Sequence, residues 1–252
     1  MSLIKIQNHF LSDITWGNFS SCNFVAGNGV DIWGTKISDH LPLLNNYLTL
    51  LNEEELARAN RYLHLHDRNR FIISRGALRI ILGKYLNQNP ASIKFEKSEN
   101  KKPYLKNNPV FYNISHAADQ IVLAISGAEV GIDIEIVNPE FNFNDVINEY
   151  FSVKEINFIL QQQSIDRFFL IWTRKEAFTK ATGKGLDDNI KFIPCLDGLQ
   201  IEDGEKLGAF NDMEVFSFIP AKGYTASIAM PTPANDLRFY NADFFNGYLE
   251  NK

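Results

Sequence analysis

An α+β fold made of two similar subdomains, related by an approximate two-fold axis, is what the sequence predicts, and three observations predict it. A pair of helical patterns followed by strand patterns occurs twice along the chain. At an offset of 100, Arg75, Ala77, Gly83, Lys84 and Leu86 meet Lys175, Ala177, Gly183, Lys184 and Leu186. Charge divides near the same point: residues 1–127 hold 14 Lys and Arg against 10 Asp and Glu, whereas residues 128–252 hold 11 against 20. Repetition of a supersecondary unit implies two packed copies, so the expected subdomains are residues 1–127, basic, and 128–252, acidic.

In the first half, Asn52 followed by Glu55 has the form of a capping box, which starts a helix over 53–66, and a more apolar helix follows over 68–86. Residues 92–96, 109–115, 120–126 and 129–136 are β-branched and aromatic runs separated by Gly, Asn, Asp and Pro, and they predict strands. The second half predicts helices over 153–162 and 166–182, then strands over 190–193, 213–219 and 224–230. Gly183 stands where a helix C-terminus places glycine.

The 252 residues are 45% hydrophobic and 22% charged, enough to build a core. Cys22 and Cys195 lack the spacing of a zinc site or a disulfide framework, which fits a reducing cytoplasm. The N-terminal segment lacks the pattern of an export signal, and no apolar run nears the roughly 18 residues of a membrane span. A soluble, cytoplasmic chain without a membrane is expected. The net charge of −5 argues against a nucleic-acid partner. A basic half joined to an acidic half suits a cleft with phosphate on one wall and a metal on the other, and equally a chance clustering of solvated charge.

Residues 131–135, Gly-Ile-Asp-Ile-Glu, form an apolar strand in which side chains two apart share a face. Asp133 and Glu135 therefore point together, about 7 Å apart, as ligands for Mg²⁺ would or as the polar side of a half-exposed strand does. Trp172, Glu176 and Lys180 fall at i, i+4 and i+8 of a helix, one stripe carrying an aromatic, an acid and a base, as a site would or as an exposed Glu-Lys pair beside a core tryptophan does. Ser115 and His116 arrive together at a surface turn. They suit a phosphate contact, or a plain hydrogen-bonded turn histidine, better than hydrolysis, because no nucleophile-elbow spacing accompanies them. Arg58, Arg61, Arg68, Arg70, Arg75 and Arg79 crowd one helical pair, and Lys101 and Lys102 precede Pro103; guanidinium forks suit phosphate.

In this order the pieces resemble the Sfp-type 4′-phosphopantetheinyl transferases. GIDIE at 131–135 and WTRKEAFTKATGKGL at 172–186 are similar to that family's two signatures and keep their separation. FYNISHAAD at 111–119 resembles its Ser-His segment, with Tyr112 and Ala117 as departures, and NKKPYL at 100–105 resembles its Gly-Lys-Pro turn with Asn in place of Gly. The resemblance runs from about Arg58 to Leu186. It implies the family's fold of two pseudo-symmetric halves, and transfer of phosphopantetheine from coenzyme A to a serine of an apo acyl or peptidyl carrier protein, with Mg²⁺. It further implies Asp133, Glu135 and Glu176 as metal ligands and Lys180 on the pyrophosphate, with Glu176 and Lys180 catalytic. Arg58, Lys102, Pro103, Ser115 and His116 would hold the 3′-phosphate and adenosine end, Arg70 would add to them, and Lys175 would lie beside the phosphates. Both walls belong to one chain, so a monomer is expected. The competing expectations are another Mg²⁺-dependent enzyme of phosphoryl chemistry, for which no P-loop or kinase motif is present, and an inactive module that binds coenzyme A or a carrier protein.

Overall fold

A computed structural model describes residues 2–100, 102–185, 189–233 and 236–242. Lys101 and the motif residue Leu186 lie outside the described residues. The chain opens with β1 (Leu3–Phe10) and β2 (Trp16–Gly17), followed by β3 (Val30–Lys36) and the short helices α1 (Ile37–His40) and α2 (Leu44–Leu48). Then come α3 (Glu53–Ala59), α4 (Leu65–Leu86), the small hairpin of β4 (Glu96–Lys97) and β5 (Pro103–Tyr104), and the long strands β6 (Phe111–Ala117) and β7 (Gln120–Ser126). The second half runs β8 (Gly131–Ile136), α5 (Ile147–Tyr150), α6 (Val153–Leu160) and α7 (Ile165–Thr182). It closes with β9 (Gly198–Asp203), α8 (Gly204–Leu207), β10 (Met213–Phe218), β11 (Tyr224–Pro231) and β12 (Leu237–Asn241).

The repeat expected from the sequence is present and larger than the helical echo. The series β3, α3, α4, a 3₁₀ turn at Pro90–Ser92, β6 and β7 is matched by β8, α6, α7, a 3₁₀ turn at Ile190–Phe192, β10 and β11. In each copy the strands pair in the same way, β3-β7-β6 and β8-β11-β10, all antiparallel. Both α3 and α6 begin at complete capping boxes, Asn52 with Glu55 and Ser152 with Glu155. α7 ends at Gly183, whose φ of 68° is the left-handed conformation that glycine adopts without cost.

Side-chain alternation explains how the layers stack. In β7, Ile121, Leu123 and Ile125 join the core under α4, while Val122 and Ala124 face the other sheet. In β8, Ile132 and Ile134 face the first sheet and join that same central core. A third core packs α7 residues such as Phe168 and Phe178 on Ile4, Ile6 and Val215. The order is therefore helix, sheet, sheet, helix, with three apolar seams.

Several expectations need correction. Residues 92–95 and 190–193 are not strands, and only Glu96 of the first run enters one, β4; Ser92 ends a 3₁₀ turn that starts at Pro90, where the Asn89 side chain accepts from the Ala91 amide. The first helix stops at Ala59, and the next begins at Leu65 rather than 68. β1, β3, β9 and β12 were not expected. The cut at 127/128 does not divide the sheets, because terminal strands are exchanged. β1 lies between β10 and β9 in the second sheet, and β12 lies between β2 and β3 in the first. Among the described residues, no helix is long and apolar enough to cross a membrane, and both cysteines are free and buried.

Candidate functional site

The site forms where β8 runs under α7. Gly131 permits it: a Cβ there would stand 2.1 Å from the carbonyl oxygen of Ala177 and 2.2 Å from the amide nitrogen of Ala181, so only glycine allows the helix backbone this close. Residues 131, 133 and 135 share one face of the strand, and Asp133 and Glu135 therefore point toward the helix. The stripe of Trp172, Glu176 and Lys180 meets them. Lys180 Nζ donates to Asp133 Oδ1 at 2.6 Å, to Ser115 Oγ at 3.1 Å and to the Ile132 carbonyl at 3.3 Å. Ser115 Oγ in turn donates to Asp133 Oδ1 at 2.9 Å. Ser115 belongs to β6 and Asp133 to β8, so the two halves of the molecule meet in this cluster. Asn113, also on β6, fastens the same junction by accepting the Ile132 amide at 2.9 Å.

Three acids share this small region with one ammonium. Burial pushes the Glu135 pKa up to about 7; the Asp133 carboxylate adds to the shift and Glu176 adds less, while a hydrogen bond from Trp172 and the charge of Lys180 oppose it. The Glu176 pKa is raised as well, first by burial and then by Asp133, with Lys180 opposing. Both groups lie where negative charge is costly unless a cation joins them. Trp172 was placed on the stripe by its spacing, but its role as a donor to Glu135 was missed.

A hard divalent cation suits the donor chemistry. Asp133 Oδ2 is buried without a hydrogen-bond partner, an oxygen with spare acceptor capacity beside two carboxyls whose charge is destabilised. As the side chains stand, no three His, Cys, Asp or Glu residues among the described ones are gathered tightly enough to enclose a metal, and Asp133 Oδ1 is shared with Lys180.

The basic residues fall into two groups. Lys102 lies at the junction of the halves: Nζ donates to Glu129 at 2.7 Å and to the Ala181 carbonyl at 3.1 Å. Lys102 and Pro103 line a pocket with Ser98, Tyr104, Phe111 and Glu129. His116 is exposed at the end of β6, its pKa lowered by partial desolvation and by Arg70. Arg70 pairs with Asp67 and lines a second, open pocket with Ile37, Leu41 and Leu65. Arg58 is exposed, its guanidinium 4.9 Å from the Phe71 ring centre.

Lys175 and Arg79 are placed elsewhere. Lys175 is fully buried on another face of α7, ion-paired to Glu155 at 3.0 Å and donating to the carbonyls of Ile190 and Ile193. The position beside the phosphates expected for it is corrected: neighbouring helical residues diverge by about 100°, so Lys175 cannot share the face of Glu176. Arg79 is equally buried, paired with Glu55.

A family model described as the 4′-phosphopantetheinyl transferase superfamily matches residues 129–229. Another, described as 4′-phosphopantetheinyl transferase, N-terminal, matches residues 40–128. The chain is 33% identical over 167 residues to the 4′-phosphopantetheinyl transferase HetI of Nostoc sp., covering 62% of this chain and 70% of that protein. It is 32% identical over 143 residues to a 4′-phosphopantetheinyl transferase of Bacillus subtilis, covering 55% and 63%. To the 4′-phosphopantetheinyl transferase Sfp of Bacillus subtilis it is 26% identical over 144 residues, covering 56% and 63%. The chain thus spans about two thirds of the length of the relatives it matches.

Proposed function

We propose, since this chain belongs to the Sfp-type 4′-phosphopantetheinyl transferases, that it moves the phosphopantetheine arm of coenzyme A onto a serine of an apo acyl or peptidyl carrier protein and releases adenosine 3′,5′-bisphosphate. The observation that carries the reading is the meeting of Asp133 and Lys180 with Ser115 from the other half, beside Glu135 and Glu176, whose charge burial opposes.

The serine oxygen attacks the β-phosphorus, and the bond from that phosphorus to the bridging oxygen breaks. Mg²⁺ held by Asp133, Glu135 and Glu176 would supply positive charge to the phosphate oxygens, the principal need of phosphoryl transfer. Lys180, oriented by Asp133 and Ser115, brings an ammonium to the pyrophosphate. Glu176 is the carboxylate that would take the serine proton, directly or through a water; burial and Asp133 raise its pKa in the metal-free protein, and a bound cation would lower it and weaken it as a base. Arg58, Lys102, Ser115 and His116 hold the 3′-phosphate and adenosine end, with Pro103 beside them and Arg70 adding charge. Both walls come from one chain, so a monomer suffices for the reaction.

Intact-protein mass after incubation with coenzyme A, Mg²⁺ and an apo carrier tests the reading. A carrier heavier by one phosphopantetheinyl group is expected. An unmodified carrier with coenzyme A still bound would point instead to a binding module. For the phosphate contacts, Arg58→Ala or His116→Ala should weaken coenzyme A by about tenfold or more, each charge-assisted contact being worth roughly 1.5–3 kcal/mol. 3′-Dephospho-coenzyme A should be affected little. Equal weakening of both ligands by calorimetry would refute the assignment.

A further inference from the structure

Two buried ion pairs occupy equivalent places in the two halves. In the second, Glu155 closes the capping box of α6 by accepting the Ser152 amide at 2.8 Å, and it also pairs with Lys175 at 3.0 Å. Lys175 then donates to the carbonyls of Ile190 and Ile193, at 3.1 and 2.8 Å. In the first, Glu55 closes the capping box of α3 by accepting the Asn52 amide at 3.1 Å and pairs with Arg79 at 2.8 Å. Arg79 donates to the carbonyls of Pro90 and Ile93, at 2.9 and 3.0 Å. Cap, acid and both carbonyls are each displaced by 100 residues between the halves. The cation alone departs, by 96, one helical turn. The contact is preserved where the sequence position is not.

In both halves one charge ties three segments together: the start of the short helix, the middle of the long helix and the 3₁₀ turn beyond it. Lys175 and Arg79 have no exposed surface, and Glu155 is 1% exposed. Neither cation can reach a soluble ligand in this arrangement. Each pair nonetheless adjoins a different wall of the site. Lys175 precedes Glu176, and any slip of α7 against α6 would carry Glu176 and Lys180 away from Asp133. Glu55 lies one helical turn before Arg58 on α3, and Arg79 fixes α4, which carries Arg70.

We infer that Lys175 is a positioning residue, the cation of a latch that sets α7 and hence the carboxylate wall, and that Arg79 is its counterpart for the phosphate wall. The inference rests on the transfer reading for what the walls do, but not for the latches themselves.

The test uses the full chain with Lys175→Met, Lys175→Arg, Glu155→Gln, Arg79→Met and Glu55→Gln. Three quantities are measured: coenzyme A affinity by calorimetry in chelator, the Mg²⁺ concentration for half-maximal turnover, and amide hydrogen exchange. Glu155→Gln and Lys175→Met should raise the Mg²⁺ requirement by about tenfold or more and speed exchange in α6 and α7, with coenzyme A affinity held within about twofold. Lys175→Arg, which keeps the charge, should recover much of the Mg²⁺ response. Arg79→Met and Glu55→Gln should do the reverse, weakening coenzyme A by about tenfold or more, speeding exchange in α3 and α4, and leaving the Mg²⁺ requirement within about twofold. If Lys175→Met weakens coenzyme A while Glu155→Gln does not, Lys175 is a ligand contact and the inference is wrong. It is equally wrong if Glu155→Gln lowers thermal stability with Mg²⁺ response and α7 exchange unchanged. Should Lys175→Met prevent folding, Glu155→Gln and Lys175→Arg decide alone. A wild-type chain without turnover would refute the transfer reading, and the coenzyme A and exchange measurements would still judge the latches.

Discussion

Glu135 carries a pKa of about 7 because it is buried beside Asp133 and Glu176. An acid whose folded pKa exceeds its unfolded value binds its proton more tightly in the folded state. That stabilisation is complete below about pH 4.5, the ordinary value, and is lost as pH rises through 7. Measured in chelator, the stability of the wild type relative to Glu135→Gln should therefore fall across this window, with the decline read as a difference in Tm between the two proteins. A flat difference would mean that Glu135 is not buried beside like charge. Glu176→Gln addresses the chemistry: turnover should drop by at least about 100-fold, the range for losing a general base or a charge-stabilising group, while coenzyme A binding in chelator barely changes. Near-normal turnover would exclude a catalytic role, and full recovery at high Mg²⁺ would leave Glu176 a metal ligand only. The carboxylate face and the Trp172 stripe were legible because strand and helix periods fix them within a few residues. The burial of Lys175 was not, because its partner Glu155 lies twenty positions earlier and its carbonyl acceptors fifteen and eighteen positions later.

At the level of elements, the close approach of α7 to β8 depends on one missing side chain. Gly131→Ala would drive a methyl into the Ala177 carbonyl and the Ala181 amide, backbone atoms that cannot swing aside. The variant should unfold at markedly lower temperature and lose turnover together, and a protein with normal Tm and activity would show that the helix stands farther off. Ser152→Ala removes the α6 cap and should cost about 1 kcal/mol, measurable by urea unfolding. Long strands and capped helices could be read from the sequence because local chemistry dictates them. β3 was hidden because Asp31 and Gly34 interrupt its apolar pattern; Asp31 is buried there because Arg238, more than two hundred residues away, donates to one oxygen at 2.6 Å while Tyr85 and Cys22 donate to the other. The runs at 92–96 and 190–193 read as strands in the sequence because short apolar runs do not distinguish a strand from a turn.

For the whole molecule, the exchange of terminal strands makes each sheet depend on both ends of the chain. Residues 1–127 alone lack β12 and every partner of β1, and they expose the central core of Val30, Ile32, Val122 and Ala124. That fragment should give a collapsed NMR spectrum without native dispersion, whereas a folded, monomeric fragment would show that the halves are independent. No local pattern reveals such an exchange, since it is settled by pairings such as Ile6 with Met213. The same pairing sets a schedule for biosynthesis. β1 leaves the ribosome about 200 residues before β9 and β10 exist, which at 5–20 residues per second is a wait of roughly 10–40 s. During that time Ile4 and Ile6, both buried in the folded protein, have none of their native neighbours in the second sheet to cover them.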